Sequence, residues 1–295
     1  MLRVLRDRLQ RGRNGQRVNI TRGQVNPKGM LTSPDGRWHY YKGMWMPAVA
    51  GGALDVGEGM DEVHFGFYGD LIPDELATSS DSGTITANVG LSGGGAGRAS
   101  ILRVDNSNNG DNEFAEVDFG ALNYQVQDGQ MYMKARVLLE RVVCAVNVGF
   151  NDETTESGNT LPVELSGTTW TSGASTWIGF AFDSDATNDN WHVFWVDDDG
   201  DTSVPIATLN TGIAVAASVW YTMTIQVTDA GSGNRASAIF DLTDGSNHFH
   251  YRASDTIDRD VALVPHIGVE NRTTTGAFLD IDDIWAGKSR QDTAP

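Results

Sequence analysis

The run YTMTIQVT, residues 221–228, decides the fold. Tyr221, Met223, Ile225 and Val227 take every second position, and Thr222, Thr224, Gln226 and Thr228 fill the places between. Side chains of an extended strand point alternately to opposite faces, whereas a helix repeats every 3.6 residues, so this run is a strand with one apolar and one wet face. The same period runs through Met131–Leu139, where Met131, Met133, Ala135, Val137 and Leu139 oppose Tyr132, Lys134, Arg136 and Leu138. It recurs near residue 240, where Ala238, Phe240 and Leu242 oppose Ser237 and Asp241. The stretch Gly276–Ala286 sets Leu279 and Ile281 inward and Asp280 and Asp282 outward. Two runs depart from the pattern. WIGFAF (177–182) and WHVFWV (191–196) are apolar at odd and even positions alike, which predicts central strands or strands beneath a covering segment.

Turn chemistry separates these runs. Ser92–Gly97, Asn106–Asn112, Ser184–Asn190, Asp197–Asp201, Asp229–Asn234 and Thr243–Asn247 are rich in Gly, Asn, Asp and Ser, the residues of hairpin ends. From residue 60 onward no helix of three turns is legible, and the body reads as an all-β sandwich or barrel. A chain of 295 residues with 40% hydrophobic content can bury a substantial core, and its single cysteine, Cys144, excludes an internal disulfide or a cysteine-based zinc site. No apolar run approaches the roughly 18 residues of a membrane span. The first residues lack the apolar centre of a secretory signal, so the expectation is a soluble chain, with no membrane partner, not exported by that route.

Charge divides the chain in two. Residues 1–42 hold ten basic residues against Asp7 and Asp35, a charge of +8, which leaves −26 for the remainder of a chain whose formal net charge is −18. A basic arm on an acidic body suits docking on something negative. The arm opens with MLRVLRDRLQRG, whose Leu2, Leu5 and Leu9 have helical spacing before Gly12, so a short amphipathic helix is expected there. Arg13 to Gly36 reads as extended. WHYY (38–41) and MWM (44–46) then read as a β-hairpin around Lys42–Gly43, rich in the aromatic and Met residues favoured at protein contacts. The expected organisation is an anchor at 1–52 and a β-sandwich domain at 53–295. Protein docking is preferred to nucleic acid, because the acidic body repels the same polyanion.

The segment from about Phe65 to Lys288 resembles a concanavalin A-like (laminin G-like) jelly-roll module. The likeness rests on FGFYGDLIPDEL (65–76), MYMKARVLLE (131–140), WIGFAF, WHVFWVDDDG (191–200), VWYTMTIQVTD (219–229) with NRASAIFDL (234–242), and HIGVENRTTTGAFLDIDDIWAGK (266–288). It implies two stacked antiparallel sheets, one of them curved. Members include lectins, glycan hydrolases and lyases, and modules of bacteriophage virion proteins, so fold alone leaves function open. With the basic arm and the Gly/Asn/Thr-rich surface, the chain looks most like a virion module. The leading expectation is a non-enzymatic bacteriophage structural protein, a capsid decoration protein, head fibre or tail protein, assembled into virions in the host cytoplasm. Leu2, Arg3, Leu5, Arg6, Leu9, Trp38, Tyr41 and Trp45 would contact capsid or other virion proteins, and a homo-oligomer is expected. The alternative is a carbohydrate-binding module for host-surface glycans that uses Asp280 and Asp282, and the third is a glycan-degrading hydrolase or lyase.

The residues that could carry such chemistry each have a plainer reading. Glu116 and Asp118 share a strand face and match the start of the Glu-x-Asp-x-x-Glu strand of jelly-roll hydrolases, but Ala121 stands where the third carboxylate belongs. The plainer expectation is a polar strand face. A lyase would combine residues such as Tyr132, Arg136, His248 and His250, which no spacing ties together. Asp197, Asp199 and Asp201 alternate like the first ligands of a calcium loop. Gly200 and Thr208 then break the match, and Asp183, Asp185 and Asp189 form a second acidic stretch. No cofactor is expected apart from this calcium alternative.

Overall fold

The computed structural model describes residues 110–154, 161–197 and 207–289 without a break, together with segments at 31–32, 38–41, 44–47, 60–66, 76–80, 86–88 and 101–106. The chain forms two compact units that divide between Met60 and Asp61. In the first, β1 (Leu31–Thr32), β2 (Trp38–Tyr41) and β3 (Met44–Pro47) make a three-stranded antiparallel sheet. Tyr41 pairs with Met44 and Trp38 with Pro47, so the strands join as the hairpin predicted from WHYY and MWM. The helix expected over the first twelve residues lies outside the described residues.

The second unit is built from β4 (Met60–Gly66), β5 (Ala77–Ser80), β6 (Thr86–Asn88), β7 (Ile101–Asn106), β8 (Phe114–Asp118), β9 (Gln130–Leu139) and β10 (Cys144–Asn151). A short hairpin follows, β11 (Val163–Ser166) and β12 (Thr169–Ser172). The remaining strands are β13 (Trp177–Asp183), β14 (Asn190–Val196), β15 (Ala207–Ala214), β16 (Trp220–Thr228), β17 (Ser237–Thr243), β18 (His248–Ala253), β19 (Val264–Asn271) and β20 (Ala277–Ser289). Helical structure among the described residues is confined to one 3-10 turn at Val126–Asp128. One sheet has seven strands in the order β15-β14-β13-β10-β19-β8-β5. The other has the path β18-β17-β16-β9-β20-β7-β6, with β4 also paired to β20. Two antiparallel sheets closed on a common core make this an all-β sandwich, as the strand pattern predicted.

The period-two residues meet in that core. Met131, Met133, Ala135, Val137 and Leu139 of β9 and Tyr221, Met223, Ile225 and Val227 of β16 face Val146, Val148 and Phe150 of β10 and Ile178, Phe180 and Phe182 of β13. Cys144 is buried at the margin of this core as a free thiol, and burial pushes its pKa up. The strands apolar on both faces, β13 and β14, do lie beneath a cover: Val163, Ala174 and Trp170 of the β11–β12 segment pack on Trp177, Ala181, Phe194 and Val196. In β20 the alternation slips by one residue at a bulge between Ile281 and Asp283. An extra residue in one strand re-aims everything after it, so Ile284 and Ala286 point inward where strict alternation from Leu279 and Ile281 would put Asp283.

Candidate functional site

The site lies on the face of the seven-stranded sheet that turns away from the core. Ala115 and Val117 of β8 enter the core, while Glu116 and Asp118 point to the opposite face. This polar strand face is closed to water: Glu116 is 0% and Asp118 2% exposed. Glu116 Oε2 lies 2.8 Å from Nε2 of His266, which stands on the neighbouring strand β19 and is itself fully buried. Asp118 Oδ1 accepts the Gly120 amide at 2.5 Å, and burial raises its carboxyl above the usual range. Trp177 meets His266 edge-on at 5.7 Å. Beneath the Trp177 ring lie two glycines. Gly149 opposes Gly179, and a Cβ on either would strike the neighbouring strand and the Trp177 ring within 2.9 Å.

The cover is held to this face by polar side chains. Asn147 accepts the Val163 amide at 2.9 Å and donates to the Val163 carbonyl at 2.8 Å, standing in for a strand partner. Asp183 accepts the Leu165 amide at 3.0 Å. Arg272 gathers the carboxylates: Nη2 lies 2.6 Å from Asp183 and 3.6 Å from Glu164 of the cover, and Nη1 bonds Glu270 and, at 3.2 Å, Asn112. The second acidic stretch read from the sequence is therefore split, since Asp183 is buried in this cluster.

Burial pushes the Glu270 carboxyl up to about 7, against the pull of Arg272. The folded chain then keeps a proton up to about that pH, whereas the unfolded carboxyl releases it near 4.5. Unfolding in this window releases a proton, so the stability contributed by Glu270 is full below the unfolded value and falls as pH rises through the folded one, by at most about 1.4 kcal/mol per unit. Glu270→Gln should abolish that loss. The Tm of the variant relative to the parent is expected to climb from about pH 5 to about pH 7, and a flat difference would refute the assignment.

Toward β15 the same face opens to solvent. The indole of Trp170, half-buried, stacks at a tilt on Phe194 at 4.6 Å and on His192 at 5.4 Å. His192 Nδ1 lies 3.3 Å from the Thr208 hydroxyl, its Nε2 has no protein partner, and burial lowers its pKa, so the ring is neutral at neutral pH. Exposed Thr208 and Asn210 lie on the same face, in register with Phe194 and His192, and Asn190 donates to Asn210 at 3.0 Å. Sequence reading missed this group, although a lone Trp amid Thr and Ser in TTWTS (168–172) was a visible signal.

The residues singled out from sequence are dispersed. Asp280 lies on the outer face of the eight-stranded sheet, 3% exposed, with its two oxygens 2.7 and 3.0 Å from the Arg103 guanidinium. Asp282 sits at the bulge, paired with Arg136, whose guanidinium stacks on Trp220 at 4.5 Å. His248 and His250 share a face, both against Asp241 Oδ1 at 3.2 and 2.8 Å, but two strands separate them from Tyr132 and Arg136. Asp197 accepts the Asp258 amide at 2.8 Å and pairs with Arg235. Asp199 and Asp201 lie outside the described residues, and among those described no group of three His, Cys, Asp or Glu side chains is placed to hold a metal ion. Trp38, Tyr41 and Trp45 fall on β2 and β3, and Leu2, Arg3, Leu5, Arg6 and Leu9 lie outside the described residues.

No family model and no curated protein matches this chain. Solved structures do. The seed lectin of Lotus tetragonolobus is similar at 10% identity and TM-score 0.49, over 78% of this chain and 98% of the lectin. A protein of unknown function from Shewanella oneidensis, SO2946, is similar at 11% identity and TM-score 0.47, over 80% and 90%. A legume lectin-like domain from Entamoeba histolytica is similar at 9% identity and TM-score 0.44, over 72% and 89%.

Proposed function

We propose that this chain is a non-enzymatic carbohydrate-binding protein whose contact surface is the Trp170 platform. One observation carries the proposal: a half-exposed indole, seated on Phe194 and a neutral His192, beside the uncharged Thr208, Asn210 and Asn190. The C–H face of a sugar ring is apolar and packs on an aromatic face, and its hydroxyls pair with amides and hydroxyls placed at the margin. Among the described residues the side chains of this platform are uncharged, which favours a neutral ligand. Catalysis is disfavoured, because Glu116 and Asp118 are sealed from solvent and Ala121 replaces the third carboxylate. The Asp197 carboxylate is engaged by Arg235 and the Asp258 amide, so binding is expected to survive chelation. The test is a glycan array followed by titration of the parent chain and Trp170→Ala, with reducing-end release measured in parallel. Loss of binding in the variant with no release of reducing ends is expected.

The charge division favours a second element of this reading, in which the +8 arm anchors the domain to an acidic protein assembly, such as a virion, that displays it. A chain lacking residues 1–52 should keep its glycan binding and lose co-sedimentation with that assembly. Undiminished co-sedimentation would remove the arm from the mechanism.

A further inference from the structure

We infer that the β11–β12 segment is a removable cover over a second saccharide subsite formed by Asn147, Glu116, His266 and Trp177. The inference rests on the saccharide reading above and extends it to a face that is closed in this conformation.

Unused bonding capacity marks the place. Glu116 Oε1, His266 Nδ1 and Trp177 Nε1 are buried and have no protein partner, and all three residues lie on the same sheet face. A buried polar atom without a partner costs about 1–3 kcal/mol. Three of them under one segment are groups that the segment covers and does not satisfy. The Asn147 amide is engaged, but by the Val163 backbone, to which it both donates and accepts. Two neighbouring hydroxyls of a sugar offer the same donor and acceptor pair.

The cover stands outside both large sheets, held by polar contacts of Asn147, Asp183 and Arg272 and by one small apolar cluster. β11 and β12 pair with each other and with neither large sheet. Its apolar anchors belong to a small cluster separate from the main core, and Leu161 drops over Gly268, where a Cβ would meet the Leu161 side chain at 2.6 Å. Segments held by few apolar groups open locally at a fraction of the global unfolding free energy. Lifting this one uncovers Gly268, which lies beneath Leu161 and between Asn147 and Glu116, beside the Trp177 indole that covers Gly149 and Gly179. A carboxylate beside the imidazole selects against anionic ligands, which leaves a neutral polyhydroxyl ring as the matching chemistry.

The experiment uses the full chain and its Trp170→Ala variant, in which the open platform is silenced, probed with maltose, cellobiose and lactose. Amide exchange of Val163 and Leu165 is expected to be independent of denaturant and at least roughly tenfold faster than that of Val148 in the core. Leu161→Ala should speed it roughly tenfold again. In the Trp170→Ala chain a saccharide should shift the Trp177 indole and His266 ring signals and accelerate exchange at Val163. Exchange of Val163 only by global unfolding, in the parent chain, would overturn the cover. Local opening with unmoved Trp177 and His266 signals would overturn the subsite, while parent-chain binding that depends on Trp170 would leave the platform standing. Silence of the parent and the variant toward every glycan on the array would overturn the saccharide reading and this inference together.

Discussion

Arg272→Met is expected to lower the Tm of the sandwich by on the order of 10 °C, the largest stability effect of any single substitution considered for this chain. The guanidinium is 5% exposed and its partners Asp183 and Glu270 are 0% and 1% exposed. Methionine fills much of the arginine volume but leaves Asp183, and Glu270 once it ionises, without a cation. Removing one partner of a buried ion pair costs about 3–5 kcal/mol, a large share of a typical 5–15 kcal/mol total. The loss should exceed that of Arg136→Met, because the Arg136–Asp282 pair is 40% and 33% exposed and is screened by water. Combining Arg272→Met with Asp183→Asn and Glu270→Gln should recover part of the loss, since the penalty lies in the unpaired charges. Thermal melts of the three variants and the parent decide the matter, and an Arg272→Met melt within about 2 °C of the parent would show that the cluster is not held by charge.

Trp170→Ala is expected to weaken glycan binding at least tenfold, about 1.4 kcal/mol, while leaving the fold intact. The indole is half-buried and belongs to the small cluster over the sheet, so its removal takes away a contact surface and a modest part of the cover's packing. Trp170→Phe keeps an aromatic face and should restore most of the affinity. His192→Ala should give a smaller loss, because the imidazole lies 8% exposed behind the platform and supports it more than it touches a ligand. Equal affinity of the parent and Trp170→Ala for a bound glycan would move the site elsewhere on the molecule.

Much of this was legible in the chain. The alternation in Met131–Leu139 and Tyr221–Thr228 named core residues one by one, and the doubly apolar WIGFAF and WHVFWV announced strands that lie centrally or under a cover, of which the structure shows the cover. Asp280 and Asp282 were less well served, because the bulge after Ile281 breaks the alternation on which their pairing was read. His266 was one of six scattered histidines, and its partner Glu116 is 150 residues away. No local pattern connects them.

By itself the sequence determined the strands, their apolar faces and the division of charge, because strand periodicity is a property of neighbours along the chain. Only the tertiary structure decided which polar residues leave water. The order β10-β19-β8 sets Asn147, His266 and Glu116 on neighbouring strands, with Val163 of the β11–β12 hairpin bonded to Asn147 and Leu161 lying over Gly268 between them. Whether a strand's second face is wet or buried depends on what packs upon it, and that is a contact between residues far apart in the chain.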